Sequence, residues 1–111
     1  MRTDRERLLD ILEAIHKIED QTCLGEARFR TDELVQVWLV YHFQVIGEAV
    51  ARLSSKLKDD SPAVPWADIV GMRNIVVHEY FGLDLDRIWS TATTSLQSLR
   101  EEIERLLSTT D

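Results

Sequence analysis

The sequence predicts an all-α protein, an up-down bundle of four to five helices. Three observations carry that expectation. Only four glycines and two prolines occur in 111 residues, so turn chemistry is scarce, which favours long helices joined by short connections over a many-stranded sheet. Apolar residues recur at helical spacing along most of the chain. Helix-start signals stand at Thr3, at Thr31-Asp32 and at Asp84.

The first helix should begin near Thr3. In Thr3-Asp4-Arg5-Glu6, a Thr and a Glu three residues apart can each satisfy the other's free backbone N–H. Leu8, Ile11, Leu12, Ile15 and Ile18 then form one apolar stripe. The pattern ends at Glu19-Asp20-Gln21-Thr22, and Gly25 falls in the connection that follows. Thr31-Asp32-Glu33 opens a second helix with a cap residue and acids at the positive end of the dipole. Its expected stripe is Leu34, Trp38, Tyr41, Val45, Ala49 and Leu53, widened by Val37, Ile46, Val50 and Leu57. From Thr31 to Leu57 it would span about 40 Å. Gly47 inside it costs about 1 kcal/mol relative to Ala, a cost that close approach of another helix would explain.

Lys58-Asp59-Asp60-Ser61-Pro62-Ala63-Val64-Pro65 is the clearest break. Pro65 suits the first position of a third helix, with Asp68 in its first turn. That helix carries Trp66, Ile69, Val70, Met72 and Ile75, and Gly82 reads as its stop. Asp84 caps the last helix. Its face, Leu85, Trp89, Ala92, Leu96, Leu99, Ile103 and Leu106, alternates spacings of four and three, a heptad-like seam suited to antiparallel packing. The tail from Ser108 should fray. No repeat, linker or low-complexity run divides the chain, so residues 1–111 are expected to form a single domain.

Composition narrows the function. Hydrophobic residues make up 44% and charged residues 30%, the balance of a globular protein. The single Cys23 excludes an internal disulfide, and with three scattered histidines it disfavours a zinc site. The charged N-terminus lacks a secretory apolar core, and no run of apolar residues has the length of a membrane span. A cytoplasmic protein is expected. The formal net charge of −7 speaks against non-specific coating of nucleic acid. The charge is uneven: residues 1–58 carry 9 basic and 10 acidic side chains, residues 59–111 carry 4 and 10. An RNA-facing surface would therefore draw on Arg5, Arg7, Arg28, Arg30, Arg52, Lys56 and Lys58.

Phosphate loops, His-Glu-x-x-His and nucleophile elbows are absent from the sequence. Cys23 reads as incidental, and His16 and His42, beside apolar stripes, as partly buried structural residues. The segment from Pro65 to Trp89 stands apart because it concentrates Arg73, Asn74, His78, Glu79 and Tyr80. On an ideal helix Asn74 and His78 lie about 40° apart and share a face, whereas Arg73 and His78 lie about 140° apart. Arg73 and His78 could meet if Arg73 wraps round, if the helix unwinds near Val77, or if a second subunit supplies one of them. Such a cleft could cleave RNA without metal. A neutral imidazole deprotonates the 2′-OH, an imidazolium protonates the leaving 5′-oxygen, and Arg73 holds the phosphoryl oxygens. On spacing alone a structural reading fits at least as well. Arg73 could pair with Asp68 or Glu79, and His78 could interact with a helix C-terminus. Glu48, next to Gly47, could line the cleft and bond Arg73, or face solvent.

A longer string carries more. Pro65-Trp66-Ala67-Asp68-Ile69-Val70-Gly71-Met72-Arg73-Asn74, then His78-Glu79-Tyr80-Phe81-Gly82, then Asp84-Leu85-Asp86 and Trp89, together with Ile46-Gly47-Glu48-Ala49, resembles the HEPN toxin family of the HepT type over most of the chain. The R-x-x-x-x-H-x-Y motif stands as Arg73, His78 and Tyr80. The resemblance implies a HEPN helical bundle, a homodimer with the motif at its interface, and metal-independent endoribonuclease activity toxic to the cell, with tRNA or mRNA as substrate. It implies Arg73 and His78 as catalytic residues, Asn74 as support and no cofactor. The implied partner is a minimal nucleotidyltransferase (MNT) antitoxin that transfers AMP from ATP onto Tyr80. Two other readings compete: a non-catalytic docking or substrate-binding subunit of a nucleotidyltransferase, and a plain bundle dimerising through the Trp89–Leu106 seam.

Overall fold

The computed structural model of the chain describes residues 2–74 and 84–109, and every regular element among them is helical. In chain order these are α1 (Asp4–Thr22), α2 (Glu26–Thr31), α3 (Glu33–Ala51), α4 (Ser55–Asp59), α5 (Trp66–Val70), a 3₁₀ turn (Gly71–Asn74), α6 (Leu85–Ser90), a π turn (Thr91–Ser95) and α7 (Leu96–Thr109). The all-α expectation holds. The main helices are α1, α3 and the rod formed by α6, the π turn and α7, with the shorter α5 and its 3₁₀ extension packed on α3.

Helix α1 starts as its sequence dictates. Thr3 Oγ1 accepts from the Glu6 amide at 3.1 Å, and the Glu6 carboxylate accepts from the Thr3 amide at 3.1 Å. These hydrogen bonds, the Thr3 backbone first, hold the Glu6 carboxyl below its ordinary range. The face Leu8, Ile11, Ala14, Ile15 and Ile18 is buried and packs on α3 and α7, so α1 runs through the middle of the fold. Arg100 of α7 reaches back to clasp both carboxylate oxygens of Glu19, at 3.0 and 3.1 Å.

The connection expected around Gly25 is instead the short helix α2. Gly25 makes the reversal with φ +104°, a conformation that side-chain-bearing residues avoid. Phe29 then drops fully into the core, its ring 5.3 Å from that of Trp89. Asp32 ends α2 and caps α3, its carboxylate accepting from the Leu34 and Val35 amides at 3.0 and 3.4 Å.

In α3 the buried face is Val35, Leu39, Val40, His42, Phe43, Ile46, Gly47 and Val50. The predicted stripe holds only in its second half: Ile46, Val50, Leu53 and Leu57 are buried, whereas Leu34 is 82% exposed and Val37, Trp38 and Tyr41 are also exposed. The reason is that α3 is apolar on both faces, so the 3.6-residue period has no polar side from which to take its phase. Among the described residues it is also the one helix long and apolar enough to cross a membrane, although half of that stretch is buried inside the protein.

Nor does α3 run on to Leu57. It stops at Ala51, and Ser54 caps the separate α4 by accepting from the Leu57 amide at 3.2 Å. The Ser54 amide donates to Asp4 at 2.9 Å. A Ser that bonds backbone and carboxylate in this way competes with helix continuation, and the break lets both Leu53 and Leu57 turn inward. Pro65 precedes the third helix rather than opening it, and α5 makes one turn before tightening into the 3₁₀ turn.

The last helix is interrupted by the π turn at Thr91–Ser95. Ala92, Leu96, Leu99, Ile103 and Leu106 are buried as the seam predicts, but upstream of the turn Ile88 is fully buried while Leu85 and Trp89 are half-buried. A π turn takes more residues per turn than an α-helix, which rotates the preceding segment and brings Ile88 inward. This seam is spent on the protein's own core, so it is not a face through which two copies could dimerise.

Phe29 tests the packing of α2 against α6. Phe29→Ala should lower unfolding stability by about 3–5 kcal/mol, read as a fall in urea midpoint with little change in slope.

Candidate functional site

Two elements approach closely where the 3₁₀ turn crosses α3. A Cβ built on Gly47 would stand 2.5 Å from Arg73 Cγ and 3.1 Å from both the Arg73 amide nitrogen and the Val70 carbonyl oxygen. A side chain there would force Arg73 Cγ to move and the facing backbone to give by a few tenths of an ångström, so glycine is the residue that fits without a shift. The close approach expected from a mid-helix glycine is therefore present, and its occupant is the segment that carries Arg73.

The next residue on α3 uses that proximity. Arg73 Nη1 donates to Glu48 Oε2 at 3.0 Å, and Arg52 Nε donates to Glu48 Oε1 at 3.2 Å. One carboxylate thus bridges two guanidinium groups. The hydrogen bond from Arg73, then that from Arg52, holds the Glu48 carboxyl below its ordinary range. Because its folded pKa is depressed, Glu48 is ionised throughout the neutral range. The bridge is lost only as pH falls through that lowered value. The side chains are about half exposed, so the bridge adds little to stability. What it does is aim Arg73. Of the partners weighed for Arg73 from the sequence, the structure pairs it with Glu48 and not with Asp68. The 3₁₀ turn also answers part of the helix geometry: Arg73 and Asn74 stand on a tightened turn, so the 100° spacing of an α-helix does not apply to them. His78, Glu79 and Tyr80 lie outside the described residues, as does the meeting of Arg73 with His78.

Arg73 opens onto a groove of about 770 Å³ between α1 and α3. Its cationic lining is Arg2, Arg7, Lys17, Arg52 and Arg73, and its acidic lining Asp10, Glu13 and Glu48. Two acids are matched along α1, Arg2 with Asp10 and Lys17 with Glu13. Arg7 makes no ion pair among the described residues. Of the seven cations expected to face RNA, Arg7 and Arg52 line this groove. Arg28, Arg30 and Lys56 are instead held by Asp32, by Glu26 and Asp86, and by Asp60. Charge counting along the chain could not make that distinction. It also passed over Arg2 and Lys17, although Arg7, Asp10, Ala14 and Lys17 fall at spacings of three and four, one face of α1.

An aromatic cluster borders the groove. His42 is buried, and its Nδ1 donates to the Trp38 carbonyl at 2.8 Å. Its ring lies 4.4 Å from Trp38 and 4.9 Å from Tyr41, the latter edge-on. His42 thus packs as expected, whereas His16 is exposed and takes no part in the core.

A model of the family described as Ribonuclease HepT-like matches residues 11–106. The chain belongs to this HepT-like ribonuclease family. It is 32% identical over 108 residues to a protein named Probable ribonuclease HepT from Thermococcus cleftensis, covering 95% of this chain and 96% of that one. It is 32% identical over 108 residues to the Putative RNase TTE0752 of Caldanaerobacter subterraneus, covering 96% of each. It is also 29% identical over 98 residues to the Putative RNase MJ1380 of Methanocaldococcus jannaschii, covering 87% of this chain and 90% of that one. No solved structure matches the chain significantly.

Gly47→Ala tests the crossing. Alanine's helix preference is worth about 1 kcal/mol, but overpacking against backbone costs about 1–3 kcal/mol. Net destabilisation in urea is expected, together with a Glu48 carboxyl pKa, read by carbon NMR, that climbs back toward its ordinary value as Arg73 is displaced.

Proposed function

We propose that this chain is a metal-independent endoribonuclease, the toxin of a toxin–antitoxin pair, with Arg73 and His78 as its catalytic residues. The observation that carries the proposal is Arg73 itself. A HepT-like chain places this guanidinium at the mouth of a cation-rich groove, held by Glu48 across a glycine whose missing side chain leaves room for the crossing. A fixed guanidinium is suited to the phosphoryl oxygens, whose negative charge grows as the 2′-oxygen attacks.

In this reaction one imidazole of His78 takes the 2′-OH proton. The 2′-oxygen bonds to phosphorus, the P–O5′ bond breaks, and an imidazolium returns a proton to the leaving 5′-oxygen. The products are a 2′,3′-cyclic phosphate and a 5′-hydroxyl. Asn74 supports the site, and Glu48 acts through Arg73 by setting its direction. A homodimer would bring two Arg73–His78 sets together. The substrate is cellular RNA, tRNA or mRNA. The partner is a minimal nucleotidyltransferase antitoxin that silences the toxin by placing AMP on Tyr80. Each AMP adds a negatively charged phosphodiester where an RNA phosphate must sit.

Purified wild-type and His78→Ala protein, with Tyr80 shown unmodified by intact mass, should be incubated with total RNA in EDTA. Wild type is expected to release 2′,3′-cyclic phosphate ends, and His78→Ala to be slower by about 10²-fold or more. If neither cleaves, the nuclease reading fails and the chain becomes a docking subunit for its nucleotidyltransferase. With that partner and ATP, wild type should fall silent while Tyr80→Phe stays active.

The pH profile separates His78 from Glu48. Glu48 is already ionised above its lowered pKa, so the acid limb of the rate between about pH 5 and 7 belongs to the imidazole. That limb should persist unshifted in Glu48→Gln, whose kcat/KM should drop about 10-fold from loss of Arg73 alignment.

A further inference from the structure

The α1–α3 groove has features that a nuclease centre at Arg73 does not by itself require. Its lining carries five cations and three acids, a net of +2 in a chain of net −7. It is therefore a positive track on a molecule that elsewhere repels polyanions. It is continuous with Arg73 at one end and reaches Tyr41 and Lys17 toward the other. Tyr41 is 57% exposed, yet its ring is braced. It stands edge-on to a buried His42 whose ring lies tilted against that of Trp38 and is hydrogen-bonded to the Trp38 carbonyl. Trp38 in turn donates from Nε1 to the Lys17 carbonyl at 3.3 Å, which ties the cluster to α1. An exposed aromatic face held rigid costs little further entropy when a flat partner stacks on it.

From this arrangement we propose that the groove binds a single-stranded segment of RNA flanking the cleaved phosphate, with Tyr41 as a base-stacking platform and Arg7 and Lys17 as phosphate contacts. This assignment rests on the nuclease reading for its geometry. Arg7 makes no ion pair among the described residues, so a phosphate need displace none there. Arg7 and Lys17 stand about 15 Å apart along α1, far enough to hold different phosphates of one strand. A base can lie on Tyr41 only when it is unstacked from its neighbours, which selects single strands over duplex. Arg52 and Arg73, sharing Glu48, would receive the phosphates nearest the chemistry.

The test is equilibrium binding of a short 2′-O-methyl oligoribonucleotide, whose blocked 2′-oxygen prevents cleavage, measured by fluorescence anisotropy over a salt series. Tyr41→Ala is expected to weaken binding about 5- to 100-fold. Tyr41→Phe should bind as wild type does. Tyr41→Leu, which keeps apolar packing but offers no ring, should bind as weakly as Tyr41→Ala. Arg7→Ala and Lys17→Ala should each flatten the salt dependence by about 0.7 in log–log slope, and Lys56→Ala, outside the groove, should leave it unchanged. The same sequence in a duplex should bind more weakly than the single strand and be insensitive to Tyr41→Ala. The proposal is overturned if wild type fails to bind the probe, if Tyr41→Leu binds as wild type does, or if neither cation changes the slope. Because the probe cannot be cleaved, the two readings fail separately. Cleavage of ordinary RNA with silent groove variants removes the track alone, whereas probe binding that depends on the groove without cleavage removes the nuclease alone.

Discussion

At Gly47 the backbone of α3 meets Arg73 and Val70 so closely that a Cβ would force a shift, and the arrangement of this surface follows from that contact. It brings the 3₁₀ turn down onto α3 and so sets Arg73 beside Glu48. A methyl group at this position would press on Arg73 Cγ and on the backbone at Arg73 and Val70, so the turn or the Arg73 side chain would have to shift. The contact also fixes which wall of the α1–α3 groove Arg73 joins. The helix accepts a residue that weakens it because another segment needs the space, a local conflict of the sort expected at functional sites.

The same contact reconciles an acidic chain with a polyanionic substrate. Net charge is a property of the whole surface, but a phosphate responds to the charges within a Debye length of it, about 8–10 Å in physiological salt. Many cations of this chain are neutralised locally, Arg28 by Asp32 and Arg30 by Glu26 and Asp86, while the groove keeps an excess. The family relationship names a ribonuclease, and the groove is where the protein's electrostatics are compatible with RNA. Both lines lead to the groove onto which Arg73 opens.

Much of the fold was legible from local chemistry. Thr3 with Glu6, Asp32 and Asp84 each marked a helix start because a cap is a short-range hydrogen bond between near neighbours in the chain. The stripes of α1 and α7 were legible because each has a polar side to contrast with its apolar one. The first half of α3 was not, since Leu34, Val37, Trp38 and Tyr41 are as apolar as the residues that it buries. Ser54 and the π turn were hidden for a different reason. One depends on Asp4, fifty residues away, and the other on how Ile88 meets the core. Glu48 was visible as a candidate to bond Arg73, but the choice between that bond and solvent was not, because 25 residues separate the two.

The sequence by itself determined that the chain is helical, where most helices begin, that Arg73 belongs to a motif-bearing segment, and that Gly47 needed a reason. These are matters of composition, period and contacts within a few residues. Tertiary structure alone decided which face of α3 is inside, that Glu48 rather than Asp68 holds Arg73, and that Arg7 and Lys17 share a groove with Tyr41. Those outcomes depend on distances between residues far apart in the chain. Such distances are set by how whole helix faces pack together, and no local pattern encodes them.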